Sequence, residues 1–295
     1  MTKDKGQSTN MFDVCVVGHI TKDIIRVNGE VKKEQPGGTA YYTSIALNSL
    51  GLKVAVITKT ALQDRDNLLA KLDARGMAVF WQESPETTVF ENIYQSANLD
   101  DRLQRVRAIA APFTAADVAT VNAKFFHIGA LTNRDIAPDF WAAASQKCHY
   151  MCLDGQGFLR QVTDTEEVVN VPWLDKQAGL SYIDILKVDR KEAPLLSGEQ
   201  NHETAAVVLG SYGPKEVLVT AASKGSLVYH QGNFYQIPAF PPQQTIDPTG
   251  CGDTYVAGYI YQRMRSSDLE QVGRFAARVA TRKLENFGPL TAWVP

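Results

Sequence analysis

Short apolar runs alternate with segments of helical spacing along most of this chain, and few folds accommodate that order. Residues 12–17, 54–57, 125–128, 150–153, 183–188 and 217–220 are short, mainly apolar runs of strand length. Between them, residues 41–50, 67–75, 138–146 and 204–209 repeat their apolar side chains at helical intervals. A strand followed by a helix, repeated, predicts an α/β fold with a mostly parallel sheet covered on both faces. Two further helical stretches, 254–265 and 269–286, are expected to pack across the carboxyl end of that sheet. Open α/β sheets often grow to 295 residues as one unit, and no repeat or low-complexity linker divides the chain, so one core is expected at 11–295 after a polar leader at 1–10.

Charge narrows the partner. Lys and Arg total 30 against 32 Asp and Glu, a formal charge of -2, without the basic excess of a nucleic-acid binder. A small molecule is therefore expected. No apolar run approaches the roughly 18 to 20 residues that span a bilayer, and the polar start lacks the apolar stretch of a secretory signal, so a cytoplasmic protein away from membranes is expected. The 4 cysteines are too few for a disulfide scaffold. Cys15, Cys148 and Cys152 fall in strand-like segments and are expected as buried thiols. Cys148 and Cys152 have no second ligand pair at zinc spacing.

Two segments break the alternation. Residues 24–35 carry Asn28-Gly29 between strand-like arms, a type I′ turn signal because both central positions must accept positive φ. Residues 87–109 would place Phe90, Asn92 and Tyr94 on one face of a strand and Val89, Glu91 and Ile93 on the other. Such hairpins form either a small second sheet that closes a site or ordinary edges of the main sheet.

The chemistry concentrates at Asp247-Pro248-Thr249-Gly250-Cys251-Gly252-Asp253, a glycine-rich turn that feeds a helix. Closely spaced glycines let backbone N–H groups approach an anion, and the positive end of the helix adds to the field. A carboxylate at Asp253 beside that cradle could accept the proton of an attacking hydroxyl. Taken alone, the turn has a lesser alternative as a capped helix start with no catalytic role. Neither a Walker-A sequence nor the protein-kinase glycine loop occurs.

That turn resembles the C-terminal signature D-[TP]-T-G-A-G-D of the ribokinase-like, or PfkB, family of carbohydrate and nucleoside kinases, with Cys251 where Ala is usual. The resemblance implies a three-layer ribokinase-like fold with a β-hairpin lid, and a small-molecule kinase using ATP and Mg2+. It implies Asp253 as the catalytic base and Gly250, Cys251 and Gly252 as the anion hole. Asp247 and Thr249 match positions that help bind a monovalent cation, K+, in some members.

Four more segments resemble the family. Residues 16–23 match its first strand, so Asp23 inherits the binding of substrate hydroxyls. Gly37 and Gly38 match the glycine pair that lines the sugar pocket; Thr39 and Tyr42 stand where sugar-kinase members carry Lys and Asn. Asp189 and Glu192 match N-x-x-E, with Asp for Asn, which implies magnesium held through water beside the nucleotide phosphates. Thr220, Lys224 and Gly225 match the T-x-G-x-x-G turn beside the nucleotide, with Ala222 for a glycine, and residues 274–287 would flank the base. The stretch 153–160, with Gln156, and the stretch 87–91 look like those of members that phosphorylate inositol or nucleosides. Phe90, Asn92 and Gln156 join Asp23, Gly37, Gly38 and Thr39 as expected substrate contacts.

The expected function is phosphoryl transfer from ATP to a hydroxyl of a sugar or a cyclitol such as myo-inositol. A nucleoside kinase is the alternative, with Tyr41, Tyr42 and Phe90 available as a base slot. A silent ligand sensor would have no need of Asp253. His19 and His127 read as strand-end or core histidines. Both a monomer and a lid-mediated homodimer are compatible with the sequence.

Overall fold

The computed structural model describes residues 11–94 and 102–293. The leader at 1–10 and the tip of the second hairpin lie outside them. In chain order the elements are β1 (Phe12–Val17), β2 (Thr21–Val27), β3 (Glu30–Gly37), α1 (Thr39–Ser49), β4 (Val54–Thr60), α2 (Arg65–Ala74), β5 (Ala78–Glu83), β6 (Val89–Tyr94), β7 (Arg102–Ala108), β8 (Ala123–Ile128), α3 (Phe140–Ser145) and β9 (Cys148–Asp154). They continue with β10 (Arg160–Val162), β11 (Val168–Asn170), α4 (Lys176–Leu180), β12 (Ile185–Asp189), α5 (Glu192–Ser197), α6 (His202–Ser211), β13 (Glu216–Thr220), β14 (Ser226–His230), β15 (Asn233–Ile237), α7 (Cys251–Arg263) and α8 (Leu269–Leu284).

All six apolar runs become strands of one 9-stranded sheet, ordered β15-β14-β13-β12-β9-β8-β1-β4-β5. Strands β5 to β13 of that order run parallel, and β14 and β15 return antiparallel at one edge. Helices α1, α2, α7 and α8 cover one face and α3 to α6 the other, each with its own apolar cluster. Such a sandwich explains why central strands are apolar throughout: both faces are buried, as in β4, where every residue is. Edge strands β5 and β15, partly exposed, lack that signature and have no counterpart among the runs read from sequence.

One expectation is corrected. Helices α7 and α8 lie along a face of the sheet, against Leu218, Val228 and Ile237, and do not cross its carboxyl end. Tyr255, Val256, Tyr259 and Ile260 of α7 are all buried, and that apolar stripe needs a flat apolar partner. Only the start of α7 reaches the end where ligands bind in open α/β sheets.

The two hairpins form a separate 4-stranded sheet, β3-β2-β6-β7, joined by parallel pairing of β2 with β6. They are a second sheet, not edges of the first. Asn28 and Gly29 take φ of 51° and 83°, as a type I′ turn requires. Cys15 and Cys152 are buried free thiols, while Cys148 is half-buried because its end of β9 meets solvent.

Candidate active site

The glycine turn sits where the sequence places it, at the start of α7. Gly250 precedes the helix with φ 76°, and a Cβ there would stand 2.2 Å from the Tyr42 ring, so glycine meets two requirements at one position. Tyr42 comes from α1, whose buried face packs on α7. N–H groups of the first turn have no carbonyl within the helix to bond, which leaves them for an anion. The Cys251 thiol turns toward Asp247 O and Ala280 O, each 4.0 Å away, and contributes its backbone alone to the cradle. Burial pushes that thiol up to about 12.

Asp253 projects from this first turn into a cavity of about 370 Å³. Burial raises its carboxyl to about 6, with the Asp154 charge adding to the effect; Lys187, the Thr39 hydroxyl and Arg160 pull the other way. A carboxylate with that affinity for a proton is a better base than a solvated one and still ionised near neutrality. Thr39, expected to touch substrate, donates its hydroxyl to Asp253 and also lines the cavity.

Two charged residues that the sequence reading did not select stand beside the base. Asp154, the last residue of β9, and Lys187, in the middle of β12, are register partners, and Lys187 Nζ donates to Asp154 Oδ2 at 2.9 Å with both side chains buried. A Cβ on Gly252 would be 3.4 Å from Lys187 Nζ, so the ammonium stands at the mouth of the anion cradle. Burial opposes the Lys187 charge, but Asp154 and Glu192 hold its affinity for the proton above the usual lysine range. The available signal was a charge inside one apolar strand and another at the end of its neighbour, because buried charges require partners.

The lid closes the other side. Thr21, Asp23 and Ile25 of β2, Gln35 of β3, Phe90 and Asn92 of β6 and Gln104 of β7 all face the cavity. Phe90 and Asn92 thus share the inner face, as alternation predicts; the side chain of Tyr94 lies outside the described residues. Glu91 points outward, bonded to Arg26 and Arg107. Asp23 accepts from the Thr21 hydroxyl at 2.6 Å, and its Oδ2 would lie 2.1 Å from a Cβ on Gly37. Gly37 therefore makes room for the Asp23 carboxylate, while Gly38 lines the cavity itself. Gln104 Nε2 donates to Asn92 Oδ1 at 2.9 Å, which fixes both amides. Gln156 and Arg160 complete the floor, where Asp154 Oδ1 accepts from Gln156 N at 3.1 Å.

The residues expected on the donor side lie outside this cavity lining: Asp189, Glu192, Thr220, Lys224 and Gly225. Asp189 Oδ1 accepts from Lys191 N and Glu192 N at 2.6 and 2.8 Å, and Glu192 Oε2 accepts from Asp189 N at 2.7 Å. That reciprocal arrangement is the capping-box kind. Burial raises the Glu192 carboxyl, opposed by Lys187. Two hard-oxygen groups with no third acidic residue clustered among the described residues suit magnesium held mainly by water and phosphate, not a protein cage.

Asp247 is tied on every side. Its Oδ1 accepts from Thr249 N at 2.9 Å and its Oδ2 from Gly288 N at 3.0 Å. Lys283 Nζ lies 2.7 Å from Asp247 O and 3.0 Å from Oδ2. His19 bridges Thr88 and Ala111 away from the cavity, and His127 is buried without a partner for its ring among the described residues. Burial lowers His127 to about 4, so it is a neutral core residue.

The chain matches known proteins over nearly its whole length. Residues 11–294 fit the model of the pfkB family carbohydrate kinases. The chain is 27% identical to a cytidine kinase of Thermococcus kodakarensis over 94% of its own length and 98% of that protein. It is also 27% identical to an inositol 3-kinase of Arabidopsis thaliana, over 84% of its own length and 67% of that protein. A solved pyrophosphate-dependent kinase of the ribokinase family, complexed with a pyrophosphate analog and myo-inositol, superposes with a TM-score of 0.84 at 30% identity, covering 94% of this chain and 97% of that one. On that match over residues 11–294, and with a mostly parallel sheet and a small hairpin sheet to carry the cavity, this chain belongs to the pfkB family of carbohydrate kinases, phosphotransferases that act on hydroxyl groups.

Proposed function

We propose that this protein phosphorylates a hydroxyl of a cyclitol, myo-inositol being the first candidate, with Mg-ATP as donor. The observation that carries the reading is the cavity wall: Gln35, Asn92, Gln104 and Gln156 present four carboxamides around Asp23. Each carboxamide both donates and accepts, which matches a ring whose every carbon bears a hydroxyl. The similarity to inositol 3-kinases and to the myo-inositol complex supports the same class.

Asp253 takes the proton as the acceptor oxygen forms its bond to phosphorus and the bond to the leaving phosphate breaks. The backbone of Gly250, Cys251 and Gly252, together with Lys187, faces the charge on the transferred group. Asp189 and Glu192 would hold magnesium through water, where it would neutralise donor phosphates. Thr220, Lys224 and Gly225 would contact the nucleotide, and closure of the lid would exclude water.

A nucleoside acceptor is the second reading, supported by the similarity to a cytidine kinase. The aromatic slot it would need is incomplete: Phe90 and Tyr42 line the cavity but Tyr41 does not, and Tyr42 is pressed on Gly250. The Arg26, Glu91 and Arg107 ion network on the lid's outer face supports a monomer over a lid-mediated dimer. A light-scattering mass that doubles with concentration would reverse that assignment.

The test measures phosphorylated product from cyclitols, sugars and nucleosides with Mg-ATP or magnesium pyrophosphate, with Asp253→Asn alongside. Pyrophosphate is included because the cavity reaches the anion cradle without reaching the expected nucleotide contacts. Turnover of myo-inositol that disappears in Asp253→Asn supports the proposal. Turnover of cytidine alone, or equal activity in both proteins, rejects it.

A further inference from the structure

We propose that Lys283 is a built-in monovalent cation for the transfer loop, so that the protein holds its anion cradle in shape without potassium. This rests on the kinase reading. In α8 the buried positions are Leu269, Val272, Gly273, Ala276, Ala277, Val279 and Lys283, the stripe by which the helix meets the core. A lysine on such a stripe, with no side-chain exposure, requires a partner for its charge. Lys283 Nζ meets Asp247 O at 2.7 Å and Asp247 Oδ2 at 3.0 Å, the first residue of the glycine turn. Asp247 and Thr249 are the residues at which some family members help bind a monovalent cation.

Both ligand types on Asp247, carbonyl and carboxylate, are therefore already taken by an ammonium. A potassium ion sharing them would face a like charge at close range in a buried place. The position suits a cation for a second reason, since it lies in the last turn of α8, where carbonyls are unpaired and the helix dipole is negative. Lys283 also compensates the Asp247 charge beside a loop that must receive phosphate. Its Nζ is 5.9 Å from the centre of the Tyr42 ring, which itself rests on Gly250. The ammonium, Asp247, the turn and Tyr42 form one packed unit behind the cradle. Lys283 acts through Asp247 and not on substrate, which makes it a positioning residue.

The experiment compares wild type with Lys283→Met in buffer whose only monovalent cation is tetramethylammonium, then with potassium or ammonium chloride added. Thermal unfolding and kcat/KM are both read. Wild type should change by less than about twofold in kcat/KM with either salt, and its Tm should respond equally to potassium and tetramethylammonium. Lys283→Met should lose about a hundredfold in kcat/KM and recover at least about tenfold with ammonium or potassium, with a Tm raised specifically by those ions. Wild type activated about tenfold by potassium, or a variant that is fully active and unshifted without added cation, overturns the proposal. So does a folded, impaired variant that neither ion rescues. Should the variant fail to fold, the wild-type potassium response decides alone. If neither protein turns over any acceptor, the kinase reading fails, and the Tm responses still judge Lys283.

Discussion

The transfer loop at residues 247–253 and the lid sheet face each other across one cavity, yet they are held by different means. Asp247 is fastened by Lys283, by the Gly288 N–H and by its own turn, and the loop runs directly into a helix with a buried stripe. The lid has a small core of its own, Phe90 and Val106 against Leu131, and its outer face is tied by Glu91 between Arg26 and Arg107, guanidinium groups that are 34% and 39% exposed. The shared Glu91 carboxylate is buried while both guanidinium groups meet solvent, so the pairs add a modest contribution to the cohesion that strand pairing supplies. The proposed chemistry falls on the loop fixed to a buried helix and the proposed acceptor selection on the lid sheet, a division that suits a site that must open and close.

Substitutions should divide along that line. The largest effect belongs to Asp253→Asn, with kcat lowered about a thousandfold or more, near 4 kcal/mol of transition-state stabilisation, in steady-state assays. A mutant retaining wild-type kcat would remove the base from the loop. Lys187→Met follows, with an expected loss in kcat of about 10²-fold to 10³-fold. It also leaves Asp154 buried and unpaired, which should cost about 3 to 5 kcal/mol in denaturant unfolding.

The pH profile sharpens the same contrast. With Asp253 at about 6, kcat/KM should fall below that pH, and Asp154→Asn should move the limb to lower pH by removing a like charge. For stability the sign is the reverse of an ordinary ion-paired acid. The folded-state value is above 3.8, so between about 4 and 6 the folded protein binds the extra proton, and stability is lost as pH rises through 6. Asp253→Asn should therefore be more stable than wild type at pH 7, by at most about 3 kcal/mol. An Asn variant no more stable there would show that the base is not strained by burial.

Lid substitutions should act on binding. Asn92→Ala frees Gln104 and should raise KM about tenfold with kcat within about twofold, whereas an equal loss in kcat would place the amide in the transition state. The smallest effect is expected for Glu91→Gln on the outer face, about 1 kcal/mol in stability with KM nearly unchanged. A large KM effect there would make the ion network the latch of the lid.

The reading of the sequence reached the sheet, the lid and the turn because each is written in neighbouring residues. Asn28-Gly29 forces its hairpin, and alternation in β6 brings Phe90 and Asn92 to one face. Strands β5 and β15 escaped it because edge strands need not be apolar. Asp189 shows the opposite limit: a local motif marks the residue, yet the same Asp-x-x-Glu spacing serves a reciprocal backbone cap.

By itself the sequence determined that an α/β sheet would carry a glycine turn with a carboxylate at the start of a late helix, since periodicity and glycine spacing are short-range properties. Only the tertiary structure decided that Asp154 would meet Lys187, 33 residues apart, and that Lys283 would reach Asp247, 36 residues away. Each of those residues is a buried charge, and a buried charge is stable only with a partner. Which partner it finds depends on strand register and helix packing, and these exist only once the chain has folded.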